Sequence, residues 1–223
     1  MSVRYGSRTR PATMVSTWLN DLTKGDASSY GAYWLGGRYG SPDTNVIDKT
    51  LFSTDSTSAL AATIGYASGV YGSGAYSNNG TAGYVFGGWS IDDVYKITYA
   101  TDTTSTVTAT LTPTYVAVLS GAANSPTKGY SIGGYGASMW GDAKRIDRMT
   151  FSTEAIAALA ATIDPNGYGS YGNASAANNG TAAIISNGAD GTGYLTSISK
   201  LTYSTEAVAA SAAEPAACSD CAA

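Results

Sequence analysis

The stretch VYGSGAYSNNGTAGYVFGGWSIDDVYKITYATDTTSTVTATL, residues 70–111, decides the fold. It reads as four short strands in succession: Val70 to Ser77, a run ending at Gly87-Gly88, Val94 to Tyr99, and Thr104 to Leu111. Tyr, Val, Ile and Thr fill these runs, and such residues suit a pleated surface better than a helix. Asn79-Gly80 separates the first two, a pair that tolerates the positive φ of a tight hairpin turn. N-G-T is also a glycosylation acceptor pattern, but with no signal peptide evident the turn is the stronger reading. A polar loop follows Gly87-Gly88, where glycine permits a sharp turn and a close neighbouring backbone. Together these make one antiparallel four-stranded unit.

The unit recurs along the chain. An apolar strand ending in Gly-Gly appears as GAYWLGG (31–37), GYVFGG (83–88) and GYSIGG (129–134), with a degenerate fourth copy, AAIISNG (182–188). Each is followed by a second strand with two-residue alternation: VIDKTLFSTD (46–55), VYKITYATD (94–102), RIDRMTFSTE (145–154) and SISKLTYSTE (197–206). FSTDSTSALAATI (52–64) matches FSTEAIAALAATI (151–163), and NNGTA recurs at 78–82 and 178–182, so the period is about fifty residues. Four-stranded sheets repeated in this way are the blades of a β-propeller, whose blades pack on one another and leave few exposed edges. The predicted fold is therefore all-β, with about four blades of four strands.

AIAALAATI (155–163) and TEAVAASAAEPAA (205–217) contain good helix formers. The equivalent of the first is TTSTVTATL (103–111), rich in Thr and Val, and a repeat position should keep one structure, so the strand is preferred there. MVSTWLNDL (14–22) can supply the opening strand of the first blade. The domain organisation expected is an N-terminal arm and opening strand over 1–28, the propeller over 29–210, and a flexible Ala-rich tail over 211–223.

Composition limits the chemistry. Leu, Ile, Val and Phe make up only about 15% of the chain, while 17 Tyr and 4 Trp supply bulk and 27 Gly allow close packing. A charged fraction of 13% and a net charge of −4 are too low to hold the chain open as a disordered polymer. The absence of His removes the commonest general base and the usual imidazole ligands of zinc and copper. A pI near 4.6 argues against nucleic acid; the only basic cluster, Arg4, Arg8 and Arg10, reads as a solvated or docking arm. MSVRYGSRTR lacks the apolar core of a secretory signal. Residues 56–91 carry no charge, but their Gly, Ser and Asn content rules out a membrane span. Cys218 and Cys221 form a lone C-x-x-C, at best half of a zinc site.

The order of apolar strand, Gly-Gly, variable loop and K-I-T/D-x-x-F/Y-S-T strand resembles the kelch-type propeller repeat, over roughly residues 29–210. The kelch Trp between third and fourth strands and the Arg before the first are absent. The Gly/Ser/Ala/Thr-rich, His-free background is similar to repeat proteins of tailed-phage tails, fibres and appendages. That resemblance implies a virion protein made in the host cytoplasm, without need of a signal peptide. Copper oxidases of the galactose oxidase kind share the kelch fold, but their His ligands and Cys-linked Tyr have no counterpart here.

On such a propeller the loops after Gly-Gly gather on one face. They carry Arg38, Tyr39 and Asp43 in the first repeat, Trp89, Asp92 and Asp93 in the second, Tyr135, Trp140 and Asp142 in the third, and Asp190 in the fourth. Trp and Tyr at such a place suit a subunit contact; rings beside carboxylates also suit a sugar, whose C–H face stacks while its hydroxyls donate to the acids. No stretch has the alternating oxygen ligands of a calcium loop, and a glycosidase carboxylate pair chosen from 16 acidic residues has no specificity. Asp48 and Asp147 are expected in lateral ion pairs on exposed strand edges. The expected function is that of a non-enzymatic phage virion structural protein, in the tail, fibre, neck or capsid-associated parts, acting as a rigid interaction module. Its expected partners are other virion proteins and further copies of itself, with no cofactor, no metal, no nucleic acid and no membrane insertion. The alternative is an adhesin that recognises glycans of the host envelope.

Overall fold

The computed structural model describes residues 31–38, 43–65, 75–88, 91–111, 120–133, 144–163, 175–186 and 197–211. Among these every regular element is a β-strand. The first sheet has the order β1 (Gly31–Arg38), β2 (Asp43–Leu51), β3 (Ser56–Thr63). The second is β4 (Ala75–Asn78), β5 (Ala82–Gly88), β6 (Ile91–Thr98), β7 (Thr103–Thr106). The third is β8 (Gly121–Asn124), β9 (Lys128–Ile132), β10 (Ile146–Thr150), β11 (Ala155–Ala158). The fourth is β12 (Ser175–Asn178), β13 (Ala182–Ser186), β14 (Ile198–Thr202), β15 (Ala207–Ala210). Neighbours in each order are neighbours in sequence, and the pairings of the last three sheets are antiparallel throughout.

Two compact units divide the described chain. One contains 31–34 and 48–60; the other contains 35–47 and everything from Ala61 onward, and thus the second, third and fourth sheets. The predicted opening strand at 14–22, the basic arm, residues 70–74 and the Cys218/Cys221 tail lie outside the described residues.

Local chemistry explains the strand ends. At each Asn-Gly turn, Gly80 and Gly180 have φ of 84° and 85°, the positive φ that a tight hairpin turn asks of its glycine. Asn79 Oδ1 accepts the N–H groups of Thr81 and Ala82 at 3.0 and 2.8 Å, and Asn179 repeats this at 3.0 Å for both Thr181 and Ala182. The asparagine thus works as an acceptor while the glycine takes the unusual backbone. Asp55, Asp102, Glu154 and Glu206 end the S/A-T-D/E turns at φ of 51–53°, a region costly for residues with a Cβ. Gly87 and Gly133 are also at positive φ, and the β5–β6 ladder shifts register between Phe86 and Gly88 around Gly87.

The predicted fourth strand, Thr104 to Leu111, is shorter as a regular element but continues as a ladder. Val107 and Leu111 N–H donate to Val94 and Asp92 carbonyls at 2.8 Å, across the bends at 108 and 109. Leu159 and Ile163 do the same to Ile146 and Lys144 at 2.9 Å. The helix-forming run at 155–163 is accordingly strand in its first part, β11.

Sheet packs on sheet in the larger unit. Ala82, Tyr84, Phe86, Val94, Val107 and Leu111 of the second sheet form one apolar cluster with Met149 and Phe151 of the third. Ala123, Tyr130, Ile132, Ile146 and Ile163 of the third form another with Ala183, Ile185, Leu201 and Tyr203 of the fourth. At the first interface the backbones come close: a Cβ built on Gly129 would lie 2.8 Å from Ser77 Cβ and 3.0 Å from Phe151 Cε1. Ser77 Oγ donates across to the Ala123 carbonyl at 2.9 Å.

Asp147 is not on an exposed edge: it sits on β10, an interior strand of its sheet, and is 0% exposed. Arg145, two residues away on the same face, donates from Nε to both carboxylate oxygens at 2.9 and 3.0 Å. A buried carboxylate without such a cation would face a large desolvation cost. Asp48 lies half-buried on β2, and no ion pair of it is present among the described residues.

Candidate functional site

Most of the loop residues singled out from the sequence, Tyr39, Trp89, Tyr135, Trp140, Asp142 and Asp190, lie outside the described residues. Arg38 ends β1 and Asp43 begins β2. Asp92 and Asp93 stand on β6 instead of in a loop, because pairing resumes at Ile91 opposite Gly88. Asp93 Oδ2 accepts the Tyr95 hydroxyl at 3.3 Å. Among the described residues no group of three or more His, Cys, Asp and Glu is placed to hold a metal ion.

The chemistry-bearing cluster the structure does bring together lies between the sheets, at the end where the Asn-Gly and S/A-T-D/E turns are. Tyr84 on β5 is paired in register with Lys96 on β6. Phe151 of the next sheet stacks on the Tyr84 ring with centroids 5.4 Å apart. Three residues on, Glu154 reaches back from its positive-φ position: Oε1 accepts Lys96 Nζ at 2.6 Å and the Tyr84 hydroxyl at 3.2 Å. Lys96 Nζ also lies 5.8 Å from the Tyr84 ring centroid, a cation–π contact. The hydrogen bond that Lys96 donates to Glu154 raises the Lys96 pKa above its ordinary value. Burial raises that of Tyr84, with Lys96 and Glu154 pulling in opposite directions.

One sheet further the same clamp is built again. Tyr130 is paired with Arg148 across β9 and β10, and Tyr203 stacks on Tyr130 at 5.3 Å with planes 8° apart. Glu206 accepts Lys128 Nζ at 2.7 Å, Arg148 at 2.7 Å and the Tyr130 hydroxyl at 3.4 Å. Burial opposes ionisation of Glu206, but the Lys128 hydrogen bond and the charges of Arg148 and Lys128 outweigh it and hold its carboxyl low. Burial, then the neighbouring Glu206 charge, pushes the Tyr130 hydroxyl well up. In the first sheet Lys49 Nζ likewise lies 5.2 Å from the Tyr33 ring centroid.

Each clamp thus combines an aromatic stack, a cation and an acid held at a strained backbone position. It ties neighbouring sheets together, and its acids and cations are paired with one another. The signal was present in the sequence: Lys49, Lys96, Arg148 and Lys200 each precede a turn acid, Asp55, Asp102, Glu154 and Glu206, by six residues. The spacing alone does not show the pairing, because the partner acid comes from the following repeat. Comparison of the chain with protein-family models and with curated proteins gives no match.

Proposed function

We propose that the protein is a non-enzymatic structural component of a phage virion, in which stacked sheets form a rigid interaction module. The observation that carries this is the clamp itself: its acids and cations, with the Tyr84 and Tyr130 hydroxyls, are spent on holding sheet to sheet, as a mechanical scaffold requires, and the absence of His removes the commonest general base. The four sheets are the blades of a kelch-like propeller of about four repeats. Partners dock on the Gly-Gly loop face, where Trp89 and Trp140 are the aromatic anchors, and through the basic arm of Arg4, Arg8 and Arg10.

Purified particles from a producing culture should contain the chain in stoichiometric amount after density-gradient separation. Its absence from such particles overturns the virion reading. Binding of the purified full chain to envelope polysaccharides, compared with a Trp89→Ala/Trp140→Ala variant, separates scaffold from adhesin. Saturable glycan binding lost in the variant would replace the scaffold reading by that of a receptor-binding module.

A further inference from the structure

The third sheet offers two different faces to its neighbours. Toward the following sheet it presents a tyrosine paired with a cation, Tyr130 and Arg148, as the second sheet presents Tyr84 and Lys96. Toward the preceding sheet it presents an aromatic ring and a turn acid, Phe151 and Glu154, as the fourth sheet presents Tyr203 and Glu206. The corresponding positions can be read on the first and on the fourth sheet, each taken by itself.

At the leading end the ring and acid positions are Phe52 and Asp55. Phe52 is 67% exposed, where its counterparts Phe151 and Tyr203 are 8% and 7% exposed. Asp55 already holds the clamp backbone, with φ of 52° against 53° at Glu154 and Glu206, yet it is exposed and unpaired among the described residues. Trp34, 62% exposed, adds to the same sheet's apolar surface.

At the trailing end the tyrosine and cation positions are Ile184 and Lys200. They are paired across β13 and β14 as Tyr84 and Lys96 are across β5 and β6. Ile184 is 44% exposed, and Lys200 is exposed and unpaired among the described residues. One end therefore offers aromatic surface with an acid; the other offers aliphatic surface with a cation.

We propose that the first sheet of one copy packs on the fourth sheet of a second copy, Phe52 on Ile184 and Asp55 paired with Lys200. The occupant is a second copy because the two faces are both apolar and carry opposite charges, an acid on one and a cation on the other. The contact repeats between chains the clamp formed twice within one. It is heterologous, so successive copies close into a ring or extend as a filament. With Ile184 where the interior sheets have tyrosine, the carboxylate is the sole charge partner of Lys200, so the association is reversible and weakened by salt. The proposal goes beyond the scaffold reading, since it concerns sheet faces and not the loop face.

Sedimentation or light scattering of the full chain, across concentration and salt, tests it. Mean mass should rise with concentration and fall with added salt. Asp55→Lys alone or Lys200→Asp alone should weaken association about tenfold or more, while both retain native circular dichroism. Mixing the two variants should restore assembly, because each then meets an opposite charge, and Phe52→Ser should weaken it independently. A folded monomer throughout, association untouched by either charge reversal, or a mixture that stays dissociated overturns the proposal. None of those results bears on whether the chain is found in particles, or on glycan binding through Trp89 and Trp140.

Discussion

Tyr203 carries a buried hydroxyl with no hydrogen-bond partner, and desolvation alone pushes its pKa up to about 12. One sheet earlier the same place is taken by Phe151, which makes the equivalent ring stack without a hydroxyl. Tyr203→Phe is therefore expected to stabilise the protein by about 1 kcal/mol, seen as a higher urea midpoint at unchanged slope; a lower midpoint would show that the hydroxyl is satisfied. A second contrast concerns two glycines. Gly129→Ala drives a Cβ to 2.8 Å from Ser77 Cβ at a sheet interface, whereas a Cβ at Gly80 meets nothing within 4 Å and only the positive φ is violated. Gly80→Ala is expected to cost about 1 kcal/mol and Gly129→Ala about 2 or more, the order being checked by parallel denaturation curves. Turn residues such as Asn79-Gly80 were legible from sequence because their constraint is local. The burial of Asp147 was not, because alternation along a strand does not say whether that strand is interior to its sheet or which residue, here Arg145, neutralises the charge.

The strands were legible as elements, since two-residue alternation and recurring turns depend on a few consecutive residues. The pairing of Glu154 with Lys96 and of Glu206 with Arg148 was not, because each spans 58 residues. These clamps set the response to pH. Glu206 has a lowered pKa, so its contribution is fully present above the ordinary value of 4.5 and is lost as pH falls through the folded-state value. Lys96 has a raised pKa, so its contribution is present below 10.5 and is lost as pH rises through the folded-state value. Tyr84, Tyr130 and Tyr203 are held neutral in the fold while the unfolded chain ionises from about 10, so they too reduce stability in alkali. Thermal midpoints should hold between these limits and fall on both sides, with tyrosinate absorbance appearing together with unfolding above about pH 10. Glu206→Gln, which leaves Lys128 and Arg148 without their acid, should cost about 1–2 kcal/mol at neutral pH and flatten the acid limb. Glu154→Gln, at a pair about 30% exposed on each side, should cost less than about 1. Equal losses in the two variants would show that the second cation adds nothing.

In the unit that holds the last three sheets, stability is distributed as in a repeat protein, each layer leaning on its neighbours. The third sheet packs against the second through Met149 and Phe151 and against the fourth through Tyr130, Ile132 and Ile146. The fourth packs on the third through Ala183, Ile185, Leu201 and Tyr203, while Ile184 is 44% exposed. The four-repeat organisation behind this was legible from the Gly-Gly and S-T-D/E spacings, but the sequence did not reveal that the first and third repeats differ in exposure, because Phe52 and Phe151 sit in nearly identical local sequence. Hydrogen exchange at low concentration should therefore find the amides of β13 and β14 opening before those of β9 and β10. Leu201→Ala, which hollows the interface between third and fourth sheets, should cost about 2–4 kcal/mol and accelerate exchange in β13 and β14 well beyond its effect on β9, which retains the second sheet as support. Uniform acceleration across all three sheets would instead mean that the unit unfolds only as a whole, with inter-sheet coupling stronger than the stability of any one layer.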